Sequence, residues 1–113
     1  MNYIYCYTNK LNQHKYVGQT NNLQRRIREH RSCAFNEKAS SYNDLIHKKI
    51  RQYGEDNFDI EVLEILYNST QEEVNQREIY WIEKLESFRE TGKGYNSDKG
   101  GGFLSRENFL SAE

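Results

Sequence analysis

The chain has no proline and only two cysteines among 113 residues. Its turns must therefore rest on glycine, asparagine and capping side chains rather than on the fixed φ of proline. Cys6 and Cys33 make neither a disulfide framework nor a metal-ligand spacing, so both are read as free thiols in a reducing cytoplasm. No run of about 18 apolar residues occurs, so no membrane-spanning helix is expected. The opening residues, Met1-Asn2-Tyr3-Ile4-Tyr5, lack the basic stretch and long apolar stretch of a secretory signal. Internal repeats are absent too. What is present suits one small domain: 35% hydrophobic and 29% charged residues give a solvated surface over a modest core. Nine Tyr and five Phe supply much of the burial that so short a chain needs.

The net charge of −1 argues against a simple polycationic nucleic-acid binder. The distribution is uneven. Residues 9–51 hold ten Lys or Arg and three Asp or Glu, whereas residues 52–90 hold eleven Asp or Glu and three Lys or Arg. Such asymmetry is compatible with a basic face for phosphates, and equally with two solvated helix surfaces of opposite sign that attract each other.

Residues 2–8 are aromatic and β-branched without helical spacing, which predicts a strand. A polar turn over residues 9–13 and a second strand over residues 14–19 make a β-hairpin. Asn21 or Asn22 is placed to cap a helix running to about Cys33. A second helix is expected from Tyr42 to Tyr53, with Leu45, Ile46, Ile50 and Tyr53 as its apolar stripe and Gly54 as its stop. Phe58 to Leu66 reads as a strand apolar on both faces, which implies helices above and below the sheet. Thr70-Gln71-Glu72-Glu73 is a capping box opening a third helix that ends near Ser87. The order β-β-α-α-β-α predicts a small α/β (α+β) sandwich, with a three-stranded antiparallel sheet flanked by helices. The remainder divides into a turn at Gly92-Lys93-Gly94, the joint Gly100-Gly101-Gly102 and a short terminal helix near Ser105.

Some polar residues fall where apolar ones belong. On the first helix, Leu23, Ile27 and His30 share a side, with Arg26 beside them; Arg25, Arg28 and Glu29 point away. A snorkelling arginine and a hydrogen-bonded core histidine would account for that pair. On the third helix, Glu78 lies amid the stripe of Val74, Trp81 and Leu85. A carboxylate there must be paired, protonated or metal-bound, and a salt bridge to Arg26 and a metal are both open. In the hairpin, Tyr5 and Tyr16 share a face, and Gly18 removes a side chain next to them. Two core tyrosines would explain that much. Taken together, two phenols, an arginine, a histidine and a carboxylate aimed at one sheet face suit phosphoryl chemistry, which needs a base, cations and a metal.

The ordered set Tyr3-Ile4-Tyr5, Tyr16-Val17-Gly18, Arg26, His30, Glu78 and Gly94-Tyr95-Asn96 resembles the GIY-YIG nuclease superfamily. The resemblance is to the catalytic domains of phage intron-encoded and free-standing homing endonucleases. It spans about residues 2–97, giving an expected catalytic domain over 1–97 and a glycine-rich linker start over 98–113. It implies hydrolysis of DNA phosphodiester bonds with 5′-phosphate and 3′-hydroxyl products. Tyr5 would be the general base, Tyr16 would position water or phosphate, and His30 would hydrogen-bond a tyrosine. Arg26 would bind the scissile phosphate, Glu78 would be the sole protein ligand of one Mg²⁺ or Mn²⁺, and Asn96 would support the site. Tyr3 stands where the family's first glycine usually does.

The implied setting is a bacterial or phage-infected cell, with double-stranded DNA as substrate. A C-terminal DNA-binding domain outside this chain and a transient dimer for double-strand cleavage are further expectations. Arg25, Arg28, Arg31, Lys48, Lys49 and Arg51 are the candidate phosphate contacts, and binding by this piece alone is expected to be weak and salt-sensitive. The alternatives are a structure-specific or repair-type nuclease of the same family, or an inactive DNA-binding module.

Overall fold

The computed structural model describes residues 1–100, so the expected terminal helix and most of the triple-glycine joint lie outside the described residues. The chain forms β1 (Asn2–Asn9), β2 (Lys15–Thr20), α1 (Leu23–Phe35), α2 (Leu45–Tyr53), β3 (Phe58–Leu66) and α3 (Gln71–Leu85). Short 3₁₀ turns occupy Glu55–Asn57 and Arg89–Thr91. The expected α+β class and element order are what the structure shows. Among the described residues, no helix is long and apolar enough to cross a membrane.

The sheet is antiparallel with strand order β2-β1-β3. β1 is central, and its alternation divides two cores. Ile4 and Cys6, with Val17 of β2, pack against Val74 and Ile82 of α3. Tyr5 and Tyr7 face the other way, against Ala34 of α1 and Ile46 and Ile50 of α2. Tyrosines make one core aromatic, and their hydroxyls require polar partners inside it.

Local chemistry sets the boundaries. Asn22 caps α1, its side chain accepting the Arg25 amide. α2 begins at Leu45 rather than Tyr42, because Tyr42 and Asp44 donate their amides to Ala39 and Ser41 in successive turns. The Thr70–Glu73 capping box forms with both reciprocal bonds.

β3 departs from expectation. The helices do lie on both faces of the sheet, but β3 is an edge strand, and Ile60, Val62 and Ile65 are each about two-fifths exposed. Only Phe58, Leu63 and Leu66 join the two cores. An apolar run has the same pattern whether a strand is central or at an edge, so pattern alone did not reveal its position.

The Gly94-Tyr95-Asn96 segment runs beside β2. Lys15 pairs with Gly94, and the Tyr95 amide donates to the Lys15 carbonyl at 2.8 Å. Gly94 is required because any Cβ there would overlap the Ser87 backbone. This segment closes the open side of β2 and carries Asn96 to the sheet.

Candidate active site

The hairpin register determines what the sheet presents. Tyr5 pairs with Gly18 and Tyr7 with Tyr16, so three phenols project on one face. The Tyr5 ring crosses over Gly18, and a Cβ at position 18 would strike the Tyr5 ring and hydroxyl. Gly18 therefore opens space for Tyr5 itself. α1 lies over this face and lowers His30 among the rings of Tyr5, Tyr7 and Tyr16, at centroid distances of 5.9, 5.2 and 5.6 Å. The Tyr5 hydroxyl lies 2.7 Å from His30 Nε2.

A cleft of about 540 Å³ opens beside these rings. Tyr5, Tyr16, Arg26, Glu78 and Asn96 all contribute to its lining, which brings together five of the six expected catalytic residues. The sixth, His30, is fully buried behind Tyr5. Arg26 reaches the cleft from one turn before His30, held by an ion pair to Glu29 at 3.1 Å. Glu78, for which a salt bridge to Arg26 and a metal were both open, accepts a 2.8 Å bond from Gln19 Nε2. Gln71 donates in turn to Gln19 Oε1 and Asn75 Oδ1, at 2.7 and 2.8 Å. This amide chain fixes Glu78 on the cleft wall and presents a donor to its carboxylate.

The electrostatics follow from burial. Desolvation pushes the Tyr5 hydroxyl well above the usual phenol range, and the neighbouring Tyr16 adds to that, while the Arg26 charge opposes it. Tyr16 is also raised, first by burial, with Arg26 again opposing. His30 is pushed down to about 2, first by burial and then by the charges of Arg26 and His47, so it is a neutral imidazole.

The model of the GIY-YIG catalytic domain matches residues 1–96. The chain belongs to the GIY-YIG nuclease family. Two solved structures of the I-TevI catalytic domain share its fold. One, an alanine variant of the intron endonuclease, has a TM-score of 0.71 at 24% identity, over 88% of this chain and 96% of that one. The other, described as the catalytic domain of homing endonuclease I-TevI, has a TM-score of 0.66 at 26% identity, over 84% and 96%. No curated protein sequence matches significantly.

In this GIY-YIG domain Asn96 supports the sheet. Its side-chain amide bonds both backbone groups of Val17, accepting from N–H and donating to C=O at 2.8 Å each. Its carbonyl also accepts the Ser87 hydroxyl at 2.6 Å. Asn96 thus acts as a strand partner for β2 between Tyr16 and Gly18. Asn96→Ala leaves three buried groups unsatisfied and is expected to cost about 2–4 kcal/mol. That corresponds to a fall in Tm of roughly 10 °C or more, measurable by thermal denaturation.

The expected phosphate contacts divide. Arg25, Arg28 and Lys48 are exposed, Arg25 with an ion pair to Glu29. Lys49 donates to Gln52, and Arg31 is paired with Glu55. Arg51 is placed differently from expectation. Its guanidinium stacks 3.6 Å from the Tyr42 ring centroid and donates to the Ala34 and Tyr42 carbonyls at 2.8 Å each. It ties the end of α1 to α2, and a guanidinium so engaged is part of the fold rather than a mobile surface cation.

Cys6 and Cys33 are free thiols, as the composition implied. Among the described residues, no three His, Cys, Asp or Glu side chains converge as a metal-ligand cluster. The cleft lining contains carboxylates and amides but no imidazole or thiolate. That donor set fits a hard cation that keeps much of its water and takes one or two carboxylates, which is the habit of Mg²⁺.

Proposed function

We propose that this domain is a metal-dependent DNA endonuclease of the homing type, hydrolysing phosphodiester bonds to 5′-phosphate and 3′-hydroxyl ends. The observation that carries this reading is the convergence of Tyr5, Tyr16, Arg26 and Glu78 on one cleft within a domain of this family. The fold shared with a homing endonuclease supports the finer assignment.

Each residue has a task that its position suits. Tyr5, at the cleft wall with its hydroxyl bonded to a neutral imidazole, takes the proton of the attacking water. Tyr16, at the same wall, orients that water and the phosphate. Arg26 is permanently cationic and stabilises the charge that builds on the phosphoryl oxygens. Glu78, oriented by Gln19, would hold Mg²⁺, or Mn²⁺ in its place. Such an ion supplies Lewis-acid polarisation of the phosphate and offsets the negative charge of the leaving oxygen. Arg25, Arg28, Lys48 and Lys49 provide contacts to the duplex backbone, with little capacity to read sequence. Sequence reading would fall to a further DNA-binding region, and double-strand cleavage to a transient dimer.

Relaxation of supercoiled plasmid tests the reading. With Mg²⁺ at low salt the protein nicks the plasmid, EDTA abolishes nicking, and the ends accept ligation without prior phosphorylation. A plasmid left intact at high protein concentration, or nicked equally in EDTA, overturns it.

A further inference from the structure

His30 does not end at Tyr5. Its other ring nitrogen, Nδ1, lies 2.8 Å from Nε2 of His47 on α2, and His47 Nδ1 lies 2.7 Å from the Ser41 carbonyl. Both histidines are about 1% exposed. Four groups therefore form one line of three short hydrogen bonds, from the cleft wall to the loop before α2.

The line has a fixed direction in the resting protein. A carbonyl only accepts, so His47 Nδ1 carries a proton and donates to Ser41. Neutral His47 then accepts at Nε2, which requires His30 to donate from Nδ1. His30 in turn accepts at Nε2, and the Tyr5 hydroxyl donates to it. A second arrangement satisfies every bond equally well. If His47 carries protons on both nitrogens, it donates to His30 Nδ1, and His30 Nε2–H donates to the Tyr5 oxygen. The two arrangements differ by the shift of two protons along the line.

We propose that His47 is the outer member of a two-histidine proton relay that removes the Tyr5 hydroxyl proton as Tyr5 takes one from water. This rests on the reading of Tyr5 as the general base. In the step, the Tyr5 proton passes to His30 Nε2 while the His30 Nδ1 proton passes to His47 Nε2. Tyr5 becomes a phenolate, His30 stays neutral as the other tautomer, and the positive charge rests on His47. Water then gives a proton to the Tyr5 oxygen as its oxygen pair forms the new P–O bond. The bonding pair of the broken P–O bond goes to the 3′-oxygen, which takes a proton from solvent. After product leaves, the two relay protons return and Tyr5 releases the water-derived proton to solvent.

The surroundings place this charge better on His47 than on His30. His30 faces Tyr5, Tyr7 and Tyr16 from the sheet, Arg26 from its own helix and His47 from α2, so a charge on it is strongly opposed. His47 faces His30, Arg26 and Arg51 as well. Burial lowers His47 first as well, but the Ser41 carbonyl as acceptor and the Asp44 carboxylate nearby offset part of that, whereas every influence on His30 opposes its charge. The positioning role of His47 lies in receiving a charge that His30 cannot keep.

The test uses His47→Gln, whose amide oxygen can accept from His30 and whose amide nitrogen can donate to Ser41, while carrying no proton onward. Single-turnover plasmid cleavage is expected to fall about 100-fold with DNA affinity unchanged, and to recover as pH rises and solvent takes over proton removal. A His47→Gln protein that cleaves as fast as wild type, with the same pH profile, overturns the relay. Should this variant fail to fold, wild-type rates in H₂O–D₂O mixtures decide, since two protons in flight give a curved dependence and one gives a line. Nitrogen NMR of the resting protein needs no cleavage. It is expected to place the proton on Nδ1 of both His30 and His47, and a proton on Nε2 of either contradicts the direction. Absence of cleavage by the wild type, by contrast, counts against the nuclease reading, and the nitrogen spectra still decide the relay.

Discussion

Tyr5→Phe is expected to slow single-turnover cleavage by about a thousandfold while DNA affinity stays within a factor of about three. The estimate is the middle of the range for a general base, roughly 10²–10⁴. The substitution deletes one oxygen at the cleft wall and keeps the ring that fits over Gly18. It leaves His30 Nε2 without its donor, at a cost of about 1–3 kcal/mol in stability, so the protein remains folded at 25 °C. The rate effect is thus separable from unfolding by comparing Tm with the cleavage constant. A variant that cleaves within tenfold of wild type shows that another group takes the proton of water.

Acid is expected to destabilise the domain through its buried histidines. His30 is held near 2 in the folded chain against about 6.5 when unfolded, and His47 is also lowered, first by burial. Between those two values the unfolded chain binds more protons than the folded one, so stability rises with pH there. The contribution is fully present above about pH 6.5 and is lost progressively as pH falls from there toward the folded value of about 2. Each unit below about pH 6.5 costs about 1.4 kcal/mol for one fully excluded proton, which makes the loss from pH 7 to pH 5 about 2 kcal/mol for His30 alone. Urea denaturation at the two pH values measures it. The double variant His30→Gln, His47→Gln is expected to flatten the difference, and an unchanged pH dependence contradicts neutral burial.

The sequence revealed those features that depend on neighbours in the chain. The hairpin, the Asn22 cap and the Thr70–Glu73 capping box are local interactions, and each appears in the structure. Glu78 stood out because a carboxylate on an apolar stripe is costly without a partner, and α3 does bury it beside Val74 and Ile82. The shared face of Tyr5 and Tyr16 followed from strand alternation alone, and it shows in the register.

What stayed hidden depends on contacts between distant segments. His47 follows Ile46 and precedes two lysines, so beside a stripe of Leu45, Ile46, Ile50 and Tyr53 it resembles a surface residue. Its burial comes from α1 packing on α2, which places it against a histidine 17 residues away. Its signal was its spacing three residues before Ile50, on the buried side of the helix. Arg51 looked like one more cation in a basic segment until the loop before α2 brought two carbonyls to it. Gln19 and Gln71 orient Glu78 through bonds spanning some fifty positions, which no local pattern encodes. A supporting role for Asn96 is implied by the resemblance alone, and its geometry is that of a substitute strand edge.

The most direct test of the account is plasmid nicking by wild type and Glu78→Ala across a Mg²⁺ titration. Glu78 lines the cleft and is the residue proposed to hold the metal. The account predicts nicking that saturates with Mg²⁺ for wild type, and none for Glu78→Ala at any Mg²⁺ concentration although that protein is folded and binds DNA. Equal nicking by both proteins would contradict it.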